Sequence, residues 1–107
     1  MNDTRAFLIE LQKQHRRFFP EAPVVYLEEL PFYIKARIVL DEDYFIEVRF
    51  NARNGKKSYA VVRGGKRIAG FDNLDGWHIH PFGKPETHAR VSEPSLADVF
   101  HYFLQGV

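Results

Sequence analysis

The side chains best suited to chemistry lie in one short stretch, residues 71–88, which contains three of the five histidines of the chain. These are His78, His80 and His88. Imidazole changes its charge near neutral pH, so it can transfer protons and can also bind metal ions. Glycines and prolines lie between the histidines and interrupt regular secondary structure. We therefore predict that this stretch is a loop that presents several imidazoles at one site.

One chemistry that fits these residue types is general acid–base cleavage of RNA. Two imidazoles can exchange protons with a ribose 2′-hydroxyl and with the leaving 5′-oxygen, while a lysine or arginine stabilises the charge on the phosphate. A nearby carboxylate can orient one of the imidazoles. The candidate catalytic residues are His78, His80, His88, Asp72 and Lys84, with Arg90 as a second candidate cation.

A metal site is a second interpretation of the same stretch. In an extended segment, His78 and His80 point to one face, and His88 or Glu86 could complete a set of ligands for a divalent ion. A third interpretation is structural. In it, Asp72 with Asn73 forms a turn, and Trp77 with Phe82 closes one end of the hydrophobic core.

Composition indicates one globular domain over residues 1–107, because the chain is 45% hydrophobic and 15% aromatic. The chain contains no cysteine, which excludes disulfides, thiolate zinc sites and thiol nucleophiles. No stretch approaches the roughly 18 apolar residues of a membrane-spanning helix, and no apolar run follows a basic N-terminus. We therefore expect a soluble, cytoplasmic protein that does not contact a membrane.

Apolar residues at helical spacing predict two amphipathic helices, at residues 3–17 and 96–104. The expected capping residues are Asp3 or Thr4 for the first helix, and Ser95 with Asp98 for the second. The predicted apolar face of the second helix consists of Leu96, Val99, Phe100, Phe103 and Leu104, and Gly106 is expected to follow its end.

Between the helices the hydrophobic period changes to two, which predicts β-strands. The expected strands are residues 24–27, 32–40, 44–50, 58–63 and 66–71. Asn54-Gly55 and Gly64-Gly65 are typical of tight hairpin turns. The predicted fold is therefore α+β: an antiparallel meander of four to five strands, with an N-terminal and a C-terminal helix packed on one face.

The other face of this sheet is expected to carry basic side chains interleaved with aromatic ones. Basic groups can bind a phosphate backbone, and aromatic rings can stack on bases, although such residues are also common on any solvated sheet. The candidate residues for binding RNA or a protein partner are Lys35, Arg37, Arg49 and Arg90.

The chain also resembles a known family in a pattern of short motifs. The sequence Phe-Asp-Asn at residues 71–73 precedes His78 and His80, which are followed by Pro-Phe, by His88 and by Glu-Pro-Ser before the last helix. This pattern is similar to that of the TumE-type toxin family of prokaryotic type II toxin–antitoxin modules. The resemblance covers the chain from Val39 to the C-terminus. It implies a small growth-inhibiting toxin that is neutralised by a helix-turn-helix antitoxin.

The residues and the resemblance together favour a toxin that acts on RNA through the histidines, as an endoribonuclease. Two alternatives belong to other classes of protein. One is a non-catalytic module that binds a partner protein through its open sheet, or forms a homodimer through an edge strand. The other is a small protein that binds a divalent metal ion with His78, His80 and His88.

Overall fold

The computed structural model describes residues 4–107, in which two helices flank a seven-stranded sheet. The elements are α1 (Thr4–Phe18), β1 (Val24–Leu30), β2 (Tyr33–Asp41), β3 (Tyr44–Asn51), β4 (Lys56–Arg63), β5 (Lys66–Asp72), β6 (His78–His80), β7 (Ala89–Arg90) and α2 (Leu96–Gly106). The strands lie in sequence order, and each is antiparallel to the next. The predicted α+β meander is thus confirmed, with five long strands and two short ones.

The hydrophobic core lies between one face of the sheet and both helices. Alternate residues of β2, β3 and β4 point into it, as the period of two predicted. Phe7 of α1 stacks on Phe50 of β3 with ring centroids 4.6 Å apart, and the ring centroid of Phe103 in α2 lies 5.9 Å from that of Phe71 in β5. Phe103 of α2 is fully buried. Both helices therefore cover the same face, which leaves the other face of the sheet open.

The turns between the long strands explain why the sheet is a meander. Gly64 and Gly65 have φ angles of 59° and 78°, which the turn between β4 and β5 requires at both central positions. Gly55, at the turn between β3 and β4, has a φ of 73°. Such short turns can only join antiparallel neighbours, so each strand pairs with the next one along the chain.

The loop predicted over residues 71–88 is only partly present. Phe71 and Asp72 belong to β5, and residues His78–His80 form β6, which pairs with β5 on one side and with β7 on the other. A strand of three residues is too short to give a recognisable hydrophobic alternation. Trp77 and Phe82 pack against the core, as the structural interpretation proposed.

The helix ends differ from the prediction in four details. The first helix ends at Phe18 and not at residue 17. Asp3, a predicted cap, lies outside the described residues. Thr4 does not act as the predicted cap, because it lies in the helix and its hydroxyl donates to the carbonyl of Pro31 at 2.8 Å. Leu104 is not on the buried face, because its side chain is 47% exposed. Gly106 is the last residue of α2, where a methyl group would overlap the ring of Phe82.

The predicted start of α2 is confirmed. The Ser95 hydroxyl accepts a hydrogen bond from the backbone N–H of Asp98 at 3.0 Å, and the Asp98 carboxylate accepts one from the N–H of Ser95 at 3.1 Å. This capping box satisfies two N–H groups that have no partner inside the helix. Within residues 4–107, no helix has the length and apolar character needed to cross a membrane.

Replacing Phe103 by alanine should lower the free energy of unfolding by about 3–5 kcal/mol, because it opens a cavity under α2. Urea unfolding of the purified variant measures this loss. The neighbouring Leu104→Ala is the control, since Leu104 is largely exposed, and it should change stability by no more than about 0.5 kcal/mol. Equal effects of the two substitutions would show that α2 does not pack as described.

Candidate functional site

The candidate site lies on the open face of the sheet, where strand pairing brings distant residues into one row. Residues that are directly opposed on antiparallel strands project from the same face. The opposed pairs are Lys35 with Arg49, Arg49 with Ser58, Ser58 with Asp72, Asp72 with His78, and His78 with Arg90. We call these six residues the open-face row. Five of them were predicted as catalytic or binding residues, and Ser58 was not.

The rings of the three predicted histidines lie next to one another at the β6 end of this row. His78 and His80 are two residues apart in β6, so both project from the open face. His88 comes from the segment between β6 and β7. Its ring centroid lies 5.9 Å from that of His78 and 4.5 Å from that of His80, with edge-to-face geometry in both cases.

His80 is the buried member of the three, with only 1% of its surface exposed. Its Nε2 lies 3.0 Å from a carboxylate oxygen of Asp72, and its Nδ1 lies 3.2 Å from the carbonyl oxygen of Pro85. Both distances are within hydrogen-bonding range, so both ring nitrogens are engaged with groups of the protein. His80 therefore fastens the segment that carries His88 to β5.

His78 differs from His80 because only one of its nitrogens has a hydrogen-bond partner within residues 4–107. Its Nδ1 lies 2.8 Å from the carbonyl oxygen of Gly76, which can only accept a hydrogen bond. Nδ1 therefore carries the proton in the neutral ring, and the lone pair is on Nε2. Arg90 lies beside this turn, since a methyl group on Gly76 would lie 3.0 Å from its guanidinium. An imidazole and a cation thus belong to the same part of the open face.

The segment between β6 and β7 is held at several points, and these contacts place His88. The Phe82 N–H donates to the hydroxyl of Tyr102 in α2 at 2.9 Å, and the Thr87 N–H donates to the carbonyl of Lys84 at 3.0 Å. The side chain of Lys84 is exposed and makes no hydrogen bond or ion pair with residues 4–107. His88 is exposed as well. Its imidazole is therefore held in place by its neighbours and remains open to solvent.

The predicted binding cations are not all equally free to bind an anion. Glu47 accepts hydrogen bonds from Arg37 at 3.0 Å and from Arg49 at 2.8 Å. Burial alone would raise the pKa of the Glu47 carboxyl, but the two arginines outweigh it and hold the pKa below its ordinary value. Arg37 also lies 4.2 Å from the ring centroid of Phe45. Lys35 has no ion pair among the described residues.

The geometry does not favour the metal interpretation. Among residues 4–107, no three or more His, Asp or Glu side chains are arranged to hold a metal ion. The reason lies in His80, whose two ring nitrogens are both engaged with protein oxygens. The predicted set of His78, His80 and His88 therefore offers accessible nitrogens on only two of its members. The other two histidines of the chain lie elsewhere: His15 is 2.6 Å from the carbonyl of Ala22, and His101 lies on α2.

Sequence reasoning missed Ser58 and the carbonyl group of Pro85 as parts of this region. Ser58 lies opposite both Arg49 and Asp72, and this position depends on the register of three strands. The strand alternation and the Asn54-Gly55 turn contain that information, because a turn of known length fixes which residues are opposed. Nothing in the sequence indicates that the Pro85 carbonyl would reach His80.

Comparison of the chain with models of protein families, with curated proteins and with solved structures found no match. The function must therefore be argued from the residues of the open-face row and from the three histidines.

Replacing Glu47 by glutamine should reduce stability at neutral pH by about 1 kcal/mol, because the carboxylate pairs with two partly exposed arginines. A carboxyl with a lowered pKa stabilises the fold above its ordinary pKa of 4.5 and loses this effect as the pH falls. The difference between the two proteins should hence shrink toward pH 3. Urea unfolding at both pH values measures it, with the exposed Glu42→Gln as the control. A pH-independent difference would contradict this electrostatic account.

Proposed function

We propose that the protein is the toxin component of a toxin–antitoxin module and that it cleaves RNA by general acid–base catalysis. The observation that carries this proposal is the pair formed by His78 and His88, whose ring centroids lie 5.9 Å apart on an accessible surface. Arg90 lies opposite His78 in the sheet. The other cations of the open-face row are Lys35 and Arg49, on β2 and β3. The resemblance to TumE-type toxins supports the assignment as a toxin.

In the proposed reaction, Nε2 of His78 takes the proton from a ribose 2′-hydroxyl as its oxygen attacks the adjacent phosphorus. The bond between phosphorus and the 5′-oxygen then breaks, and His88 in its protonated form gives a proton to that oxygen. The products are a 2′,3′-cyclic phosphate and a free 5′-hydroxyl. The guanidinium of Arg90 stabilises the negative charge that develops on the phosphate oxygens. DNA lacks the attacking hydroxyl and is not a substrate.

The roles of the remaining predicted catalytic residues follow from their environment. His80 is buried, so it does not touch the substrate, and its ring instead supports that of His88 at a centroid distance of 4.5 Å. Asp72 holds His80 and is likewise a positioning residue. Lys84 is exposed in the same segment and adds positive charge near His88. Lys35, Arg37 and Arg49 attract the RNA backbone to the sheet.

Replacing His78 or His88 by alanine should lower RNA cleavage by about 10²–10⁴-fold, the usual contribution of a general acid or base. The double variant should be nearly as active as either single one, because the two groups act as a unit. Cleavage of a labelled RNA and growth of expressing cells are the two measurements. The exposed His101→Ala is the control and should behave as the wild type.

Two outcomes would overturn the catalytic proposal. If the double variant cleaves RNA and stops growth as the wild type does, the histidines have no catalytic role. If a chelator abolishes the activity and a divalent ion restores it, the protein depends on a metal ion, and the metal-binding alternative gains support.

The toxin proposal and the non-catalytic alternative both need a surface that binds a protein, and the unpaired edge of the sheet offers one. β1 is the first strand of the sheet, and its outer side has no partner strand among the described residues. Its side chains include Val25, Leu27 and Leu30, which are 45%, 43% and 44% exposed. An exposed apolar edge strand can pair with a strand of another protein. We therefore propose β1 as the surface that binds a neutralising antitoxin.

Replacing Leu27 by lysine should weaken this association by about tenfold or more, because a charge on an edge strand opposes pairing. Co-purification of the variant with the product of the adjacent gene measures the effect, and Leu104→Lys is the control on the exposed side of α2. Sedimentation of the protein alone separates the outcomes. A dimer that Leu27→Lys dissociates would assign β1 to self-association, and undiminished antitoxin binding would reject the proposal for β1.

A further inference from the structure

The open face contains a depression of about 210 Å³ beside the open-face row. Its lining includes Tyr33, Arg49, Asn51, Lys56, Ser58 and Leu74. Two of these residues, Arg49 and Ser58, also belong to the row. The depression lies at the strand ends beside the turn between β3 and β4, and none of the three histidines lines it.

Several polar groups in the depression have no partner inside the protein. The Ser58 hydroxyl and the side-chain nitrogen of Asn51 make no hydrogen bond with residues 4–107, whereas the oxygen of Asn51 accepts one from the Arg53 N–H at 2.9 Å. The hydroxyl of Tyr33 is likewise unpaired within the described part of the chain. These groups could therefore serve as hydrogen-bond donors and acceptors for a ligand.

Apolar surface lies next to these polar groups. Leu74 is 61% exposed, and the ring of Tyr33 is half-buried on the same side. The ring and the apolar side chain can pack against the flat face of an aromatic ligand. The free hydrogen-bonding groups can bind polar atoms at the edge of the same ligand. A nucleobase has these properties.

The charge of the depression is positive. The Lys56 ammonium lies 3.1 Å from the carbonyl oxygen of Leu74 and 3.4 Å from that of Asn73, and these contacts hold it at the rim. It keeps a third N–H for another acceptor. Arg49 contributes a second cation, which Glu47 partly balances. Lys57 also lines the depression, with its ammonium 3.5 Å from the Glu93 carboxylate. No carboxylate belongs to the lining itself, so a phosphate attached to the base would meet cations and neutral groups.

We infer that this depression binds one nucleotide of the RNA near the linkage that is cleaved. This inference rests on the proposed function and names a specificity subsite for it. Ser58 and His78 are two strands apart in the open-face row, which corresponds to about 10 Å. A single-stranded RNA that follows the open-face row can therefore reach both places. The volume is below the roughly 300 Å³ of pockets for drug-sized ligands, which limits the occupant to a single base.

The test uses a short RNA whose riboses are all 2′-O-methylated, because it can bind but lacks the attacking hydroxyl. Ser58→Val fills the depression with a residue that strands accept, and Tyr33→Leu removes the ring and its hydroxyl. Each should weaken binding by about tenfold in a fluorescence anisotropy titration, Tyr33→Leu because it removes a stacking contact and Ser58→Val because it takes up the space of the base. Tyr26→Leu is the matched control, since Tyr26 is an exposed tyrosine of β1 outside the depression.

The outcomes for the subsite and for the catalysis are distinguishable. Suppose that both substitutions weaken binding of the methylated RNA but that the wild type does not cleave RNA. This result would support the subsite and reject the catalysis. If the wild type cleaves RNA and both substitutions leave cleavage and binding unchanged, the subsite is rejected and the catalytic proposal stands. His101→Ala should bind the methylated RNA as the wild type does, because His101 lies on α2, away from the open face. A phosphopeptide that binds here in place of RNA would overturn the inference.

Discussion

The hydrogen bonds of the buried His80 ring are the constraint on which the rest of the candidate site depends. A buried imidazole is stable only if its polar atoms have partners, and here these are Asp72 of β5 and the carbonyl of Pro85. The Arg67 side chain, at 3.5 Å, donates to the same carbonyl. These contacts draw the segment after β6 over the open face. As a result, His88 lies against His80 and within reach of His78.

A second constraint is the strand register, which places cations and histidines in one row. Ser58 connects the two parts of this row, since it lies opposite Arg49 on one side and Asp72 on the other. Shifting one strand by a single residue would move its side chains to the other face and separate the cations from the histidines. The hydrophobic core resists such a shift because the same alternation buries Val48 and Val61 on the helix side. The core therefore fixes the spacing of the site, although it contacts no ligand.

The sequence was sufficient for the fold because its signals are local and agree with one another. The alternation in β2 and β3, the Gly64-Gly65 turn and the Ser95 capping box each specify structure within a few residues. The strands β6 and β7 were missed, since three and two residues carry no measurable period. The site was predictable in its residue types but not in its arrangement. The burial of His80 depends on the fold of the segment after it, which no local pattern encodes.

The three histidines differ in burial and in hydrogen bonding, and these differences determine what each imidazole can do. His80 is buried and both its ring nitrogens are engaged, so replacing it should disturb the fold of the segment between β6 and β7. His78 is half-buried, and one ring nitrogen is fixed by the Gly76 carbonyl while the other stays open. His88 is exposed and takes its position from the His80 ring. One imidazole thus secures the structure, and under the proposed acid–base mechanism the other two are the groups that meet the substrate.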